Sequence, residues 1–402
     1  MSIAPATSHD ALVVGGGPSG LYAASLLASR GLRVLVLERK REIGVDIICT
    51  GIIGQEIFGE FDIPSDSVLR ELRTVKLVSA AGTTFLYEHP SVFASVVDRR
   101  LFDQSLAARA RAAGADIATS ARVYDVVSEP GRVRLLVKRN DAEPEEYSAP
   151  VALLATGVDH RLNERLGLGI PRDYVIGAQA ELETETDAPA SIFIGKSLSP
   201  GGFGWSVPSS AGLSRVGLLT SGEPRTCLEN LIRRFFPERA AGFDRSRIRV
   251  KPIVQGLVSK TYGDNLLALG EAAGQVKTTT GGGIYYGLVG ARIAADVVLK
   301  NFPGRSFAKR RLAEYERTWK RALQKEILVG HYARKIYSRF TDRQIERLFD
   351  LARTDGIVPL VQSTGRFDWQ SKLIVDLAGR VPPFSTFKEI RDKLSVLESH
   401  GS

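Results

Sequence analysis

Hydrophobic and polar positions follow two periods along this chain, and the sharpest change between them comes early. Residues 11–14 are apolar throughout, as a strand buried on both faces must be, and a glycine-rich turn follows. Leu21, Ala24, Leu27 and Ala28 then share one helical face, Gly31 ends that stretch, and 34–37 is a second apolar strand. Residues 43–54 read as glycine-punctuated loop, and 60–98 as a short helical piece followed by strands near 74–80, 83–89 and 91–97. A helix is predicted over 97–116 with Asp98 as its cap, then strands near 117–127 and 132–138, a charged hairpin, and an apolar strand in 151–157. Strand-like segments alternate with turn signals from 174 to 258, which predicts an antiparallel sheet. A strand running into a glycine turn follows at 265–274, then a long helix at 281–299 entered by three glycines, then mostly helix over 305–355. The tail, 356–402, has no clear period.

The first turn carries chemistry. Gly15, Gly17 and Gly20 have G-x-G-x-x-G spacing, and Glu38 follows Gly20 by 18 residues. Gly15 permits the tight turn, Gly17 lets backbone approach a pyrophosphate, and Gly20 lets helix pack close to sheet. Unpaired N–H groups at the helix start attract phosphate. Glu38 suits two ribose hydroxyls and would repel a 2′-phosphate. These residues point to a dinucleotide and leave NAD and FAD both open.

Bulk properties narrow the class. The 402 residues are 44% hydrophobic and 25% charged, as in an ordinary globular protein. The opening residues lack a basic and apolar leader, and no apolar run reaches the ~20 residues that span a bilayer, so a cytoplasmic protein is expected. Two cysteines, Cys49 and Cys227, exclude a disulfide framework and a four-cysteine metal site. The five histidines form no cluster at ligand spacing, so no metal site is expected. Most of the net charge of +9 sits in 301–345, where 12 Lys/Arg face 4 Asp/Glu, 12 − 4 = +8. That segment reads as a helix whose solvated face holds pairs such as Glu316 with Lys320. Its rival readings are a surface for anionic lipid or substrate, peripheral to a membrane, and a nucleic-acid surface; no nucleic-acid motif accompanies the charge.

The second glycine-rich crossing separates FAD from NAD. An extended FAD needs one support for its adenosine and another for its ribityl–flavin half. Residues 270–274 place an acid, Glu271, after an apolar strand, and Gly281, Gly282 and Gly283 expose backbone N–H groups at a helix start. Such a helix end can lie under a flavin pyrimidine ring.

The run GGGPSG, Glu38, Asp98-Arg99 with Phe102-Asp103, Ala155-Thr156-Gly157 and GEAAGQVKTTTGGGIYYGL together resemble the p-hydroxybenzoate-hydroxylase-like FAD superfamily. Within it the chain is similar to the geranylgeranyl reductase family from residue 10 to about 350. Cys49 with Gly51 resembles that family's cysteine loop beside the flavin, and the basic helical segment after residue 300 is similar to its C-terminal region. Phe203-Gly204-Trp205-Ser206-Val207-Pro208, followed by Val216-Gly217, resembles its Tyr-x-Trp-x-Phe-Pro…Gly-x-Gly substrate motif. The chain departs from the family at Glu271 for Asp, Phe203 for Tyr, Val207 for Phe and Leu219 for the last Gly.

The resemblance implies an α/β fold: an FAD-binding Rossmann-like domain (1–60, 95–165, 260–300), an interleaved antiparallel-sheet substrate domain (61–94, 166–259) and a helical C-terminal region (301–402). It implies FAD contacts from Gly15, Gly17, Ser19, Gly20, Glu38, Arg39, Cys49, Arg99, Val123, Glu271, Gly281, Gly282, Gly283 and Ile284. It implies substrate contacts from Phe203, Trp205, Val207, Pro208 and Gly217, with Cys49 as the catalytic side chain. Phe203, Trp205 and Val207 also fit a plain domain core by their period of two. The implied reaction is saturation of isoprenoid C=C bonds by hydride from reduced FAD, with NADPH or a ferredoxin-like protein as reductant. The alternative is a monooxygenase or halogenase of the same superfamily. A halogenase needs a lysine near its substrate, and Lys76, the lone lysine between 41 and 137, falls in a strand-like stretch.

Overall fold

A computed structural model describes residues 7–139, 143–185, 188–210, 212–354 and 357–380. The charged hairpin lies partly, and the tail from 381 wholly, outside them.

The first apolar strand, Ala11–Val14, is fully buried and lies at the centre of a six-stranded sheet. It pairs in parallel with Val34–Leu37 on one side and Ala152–Leu154 on the other, and Leu266–Ala268 extends the sheet in parallel beyond. Alternate side chains serve two cores. Ala11, Val13, Val34 and Val36 face a helical layer, while Leu12, Val14, Leu35 and Leu37 face a second sheet through Val133, Leu135 and Val137.

The helical layer begins with Pro18–Ala28, where Pro18 occupies the first turn, the position its missing N–H tolerates. Arg99–Ala112 follows; its cap is Asp98, whose carboxylate accepts from Arg100 N and Leu101 N at 2.8 and 3.1 Å. Ile284–Asn301 packs against Pro18–Ala28 closely because glycine stands at the contact. A Cβ on Gly287 would strike Ser19 Oγ, and one on Gly290 would strike the Gln275 amide. That amide is fixed: Gln275 Oε1 accepts from Gly270 N (2.7 Å), Nε2 donates to Tyr315 Oη (2.9 Å), and Tyr315 donates to the Ala268 carbonyl (2.7 Å).

A seven-stranded sheet built mainly from Asp173–Glu183, Ala190–Ile194, Gly204–Ser210, Leu213–Thr220 and Arg249–Gln255 forms the second layer system. These five strands pair antiparallel with one another, as expected, and Thr74–Ser79, from outside that stretch, joins in parallel beside Ala190–Ile194. Two further strands, Ile52–Gly54 inside the expected loop and Val68–Leu72, join Ala94–Val97 in a three-stranded sheet. Helix Pro224–Phe235 covers one face of the large sheet through Leu228, Leu231 and Ile232. The other face, carrying Trp205, Val207 and Leu219, turns toward Ala94 and Val96.

Helix Lys309–Tyr337 buries Leu312, Tyr315, Trp319, Leu323 and Ile327 in the main core, as their spacing predicts. Lys320 pairs with Glu316 at 3.0 Å. The same carboxylate accepts from Thr261 N, and Trp319 Nε1 donates to the Thr261 hydroxyl. Among the described residues no helix is long and apolar enough to cross a membrane.

Candidate functional site

A cavity of ≈ 920 Å³ lies between the C-terminal ends of the parallel strands and the large sheet. Both glycine turns open onto it. Gly15, Gly17, Ser19, Gly20, Glu38, Arg39, Cys49, Arg99, Val123, Glu271, Gly281, Gly282, Gly283 and Ile284 line it, and so do Phe203 and Trp205. Val207, Pro208 and Gly217, expected at the substrate, are not among the residues that line it. Val207 is fully buried in the core against Ala94 and Val96, and Gly217 lies under the Trp205 ring, where a Cβ would collide with the indole. For Val207 the plain-core reading describes the position; Gly217 acts by leaving room for Trp205.

The turn after Val14 is built for close approach. Gly15 has φ +112°, and a Cβ there would collide with the Ala155 carbonyl. Gly17 has open space where its Cβ would be, and no side chain caps the helix it starts. Glu38 is buried at 9% exposure; Oε2 accepts from Gly16 N at 2.7 Å and Oε1 from Lys40 N at 2.9 Å. Arg39 pairs with Asp159 at 3.5 Å. The Asp159 carboxyl is held down to about 2, first by hydrogen bonds from Arg161.

At the second turn the helix from Ile284 likewise has no side-chain cap. Gly281 has φ +77°. Glu271 accepts from Lys251 Nζ at 2.8 Å, an ion pair inside the cavity. Two uncapped helix starts, an open Gly17 and a buried acid at the adenosine end therefore fit an extended dinucleotide: the donors that would meet its phosphates and ring are still free of side-chain partners.

Cys49 lies on a loop tied to other elements. Its Sγ accepts from Gly51 N at 3.3 Å and from the Arg99 guanidinium. Gln179 Nε2 donates to the Cys49 carbonyl (3.4 Å), and Arg215 Nη1 donates to the Thr50 and Val97 carbonyls at 2.7 and 3.2 Å. Arg99 is buried, pairs with Asp103 at 2.9 Å and lines the cavity. Burial alone would lower its pKa, but Asp103 and the Cys49 sulfur hold it above the ordinary arginine value.

Several lining residues carried no usable signal in the sequence. Lys251 is one polar residue in a strand-like stretch; Lys277 lies inside the glycine-rich run but has no motif role; Phe367 and Asp368 belong to the featureless tail. Lys76 sits in the strand Thr74–Ser79 and does not line the cavity.

Comparison with known proteins agrees with this architecture. A family profile described as NAD(P)-binding Rossmann-like domain matches residues 13–52, and one described as tryptophan halogenase matches residues 70–343. A digeranylgeranylglycerophospholipid reductase of Methanothermobacter thermautotrophicus is 30% identical over 85% of this chain and 90% of its own length. One from Methanocaldococcus jannaschii is 30% identical over 85% and 89%. The solved geranylgeranyl bacteriochlorophyll reductase-like protein of Thermoplasma acidophilum superposes with a TM-score of 0.83 at 22% identity, covering 96% of this chain and 99% of that one. A flavin-dependent brominase shares the fold at a TM-score of 0.68 and 15% identity, covering 98% of this chain and all of its own.

Proposed function

The chain belongs to the geranylgeranyl reductase family of FAD-dependent oxidoreductases, and from that premise we propose that it saturates C=C bonds in a geranylgeranyl-type lipid or diphosphate. The observation that carries this reading is the shared cavity: Ile192, Phe203, Trp205, Leu219 and Ile253 form an apolar wall facing the same space as both glycine turns.

In this reading Gly15, Gly17, Ser19 and Gly20 hold the pyrophosphate through backbone, and Glu38 and Arg39 flank the adenosine. Arg99 and Val123 would line its path, Glu271 would meet the ribityl chain, and Gly281 to Ile284 would hold the ring end through backbone. Bound and reduced, FAD supplies a hydride. An isolated alkene has no oxygen on which charge can collect, so the wall must hold the chain within ~3–3.5 Å of the hydride source and keep water out. Burying one five-carbon prenyl unit stabilises the complex by ~3–4 kcal/mol, enough for a few units to fix the chain. Cys49 is a candidate proton donor, its thiol oriented by Gly51 N–H and Arg99. A diphosphate or phospholipid head group meets the basic 301–345 segment, which also suits contact with an anionic membrane surface. Electrons come from transiently bound NADPH or from a docked ferredoxin-like protein.

The halogenase alternative needs a free lysine at the substrate. Lys40, Lys251 and Lys277 reach the cavity; Lys251 and Lys277 are each ion-paired to a carboxylate, and Lys40 Nζ donates to the Val45 and Asp46 carbonyls. The deciding experiment is anaerobic incubation of the reduced protein with geranylgeranyl diphosphate or a geranylgeranylated glycerophospholipid, followed by mass spectrometry. Gain of two hydrogens per double bond supports the proposal; oxygen-dependent hydroxylation or halogenation with no such gain overturns it. A Cys49→Ala protein that binds FAD and turns over normally removes Cys49 from the chemistry.

A further inference from the structure

One cation at the cavity wall has no task in the reaction as described. Lys277 opens the loop that leads into the second glycine turn. Its backbone N–H donates to the Gly282 carbonyl at 2.9 Å, and Gly281 N–H donates to the Lys277 carbonyl at 2.8 Å, so residues 277–282 close on themselves. The side chain folds back over that loop: Cε and Nζ lie 3.0 and 3.6 Å from where a Cβ on Gly282 would stand. The ammonium donates to Asp368 Oδ1 at 2.5 Å and to the Phe367 carbonyl at 3.3 Å, over the Phe367 ring at 4.2 Å. Lysine and aspartate side chains are 5% and 3% exposed, and both residues line the cavity with Gly281, Gly282 and Gly283. Asp368 is held from behind, where the Tyr286 hydroxyl donates to its carbonyl at 3.0 Å. Of the two charges, the lysine is the one against Gly282; the carboxylate stands on its other side, against Gly54. A buried ion pair with its positive end toward one turn leaves a positive field there, and the low-dielectric surroundings screen it little.

We propose that Lys277 sets the reduction potential of the bound flavin: its ammonium, held against the Gly281–Gly283 turn by Asp368, favours the electron-rich reduced ring over the oxidised one. The inference rests on the proposed placement of the ring end at Gly281 to Ile284. Reduction adds electron density at that end, and a cation beside it tunes the ring's electronics. The uncharged oxidised ring gains little from the same neighbour. Reduced FAD is therefore bound more tightly than oxidised FAD, which raises the potential. The uncapped helix start at Ile284 acts with the same sign. Lys277 works through its charge and needs no contact with substrate; Asp368 acts through Lys277 and is a positioning residue. The consequence is retention of the electron pair between its arrival from the donor and the arrival of the substrate.

The test is a spectroelectrochemical titration of the holoprotein, which needs no substrate. Combining Lys277→Met with Asp368→Asn removes both charges and leaves no buried ion unpaired. This double variant should hold reduced FAD about tenfold less tightly relative to oxidised FAD, a fall of about 30 mV for a two-electron couple. In Lys277→Met alone the fall should be at least as large, because the carboxylate then lacks its counter-charge. A merely structural role would weaken both oxidation states of FAD alike and leave the potential where it is. An unmoved or raised potential in the double variant overturns the proposal. The ring placement is tested by itself through the infrared band of an isotope-labelled pyrimidine carbonyl in the oxidised wild-type holoprotein. Backbone N–H donors at Gly281 to Ile284 should move that band down from its position in free FAD. An unmoved band overturns the placement and the inference with it; a moved band with an unchanged potential in the double variant leaves the placement standing and refutes the role of Lys277.

Discussion

Replacing Glu38 by Gln tests the adenosine end of the site with almost no change of shape. Both carboxylate oxygens are already engaged, Oε2 by Gly16 N at 2.7 Å and Oε1 by Lys40 N at 2.9 Å. A glutamine offers one oxygen, so its amide N–H must face one of these two donors. The orphaned backbone N–H costs ~1–3 kcal/mol, felt with or without ligand. In the complex a ribose hydroxyl bonded to a carboxylate also loses its charged acceptor, a bond worth ~1.5–3 kcal/mol. At 1.4 kcal/mol per tenfold, FAD affinity should fall by about 10- to 150-fold. Titrating apoprotein with FAD, read by quenching of flavin fluorescence, measures this directly, and thermal unfolding without FAD separates the stability cost. An E38Q apoprotein that binds FAD as tightly as wild type refutes the placement of the ribose at Glu38.

Two further outcomes test the framework. Gly290→Ala gains ~1 kcal/mol of helix propensity but drives a methyl into the Gln275 amide, which holds Gly270 N and Tyr315; overpacking at ~1–3 kcal/mol plus two weakened hydrogen bonds outweighs the gain. Its urea midpoint should therefore fall, and a rise would refute the tightness of that contact. Asp159 titrates at about 2 in the fold against an ordinary 3.8, so its stabilisation is present above 3.8 and disappears as pH falls toward 2. Because Arg161 is mostly exposed the effect is below about 1 kcal/mol: denaturation curves of Asp159→Asn and wild type should differ at neutral pH and converge in acid, and a gap independent of pH would refute the pairing.

The parallel sheet was legible because its strands are apolar at every position and its turns need glycine for backbone reasons. The interior stripe of Lys309–Tyr337 was legible from spacing alone. Val68–Leu72 was missed because Arg70 and Glu71 break its apolar pattern at the side of a small sheet. The parallel partner of Ala190–Ile194 was missed because pairing across more than a hundred residues leaves no local trace. For the site, residues that act through backbone geometry could be located by motif, whereas Lys277 and Asp368 could not. Their meaning lies in a contact between positions 91 residues apart, and singly each reads as an ordinary surface charge.

The hydrogen bonds from Gln179 and Arg215 to the Cys49 and Thr50 carbonyls bear on how such proteins diversify. A chimera importing the large sheet from another family member would hang this cysteine segment on foreign side chains. Recombination at that boundary should yield well-folded but inert hybrids unless 49–51 travels with the sheet. On the proposed function, the unit of inheritance for substrate preference is thus wider than the strands at the cavity wall.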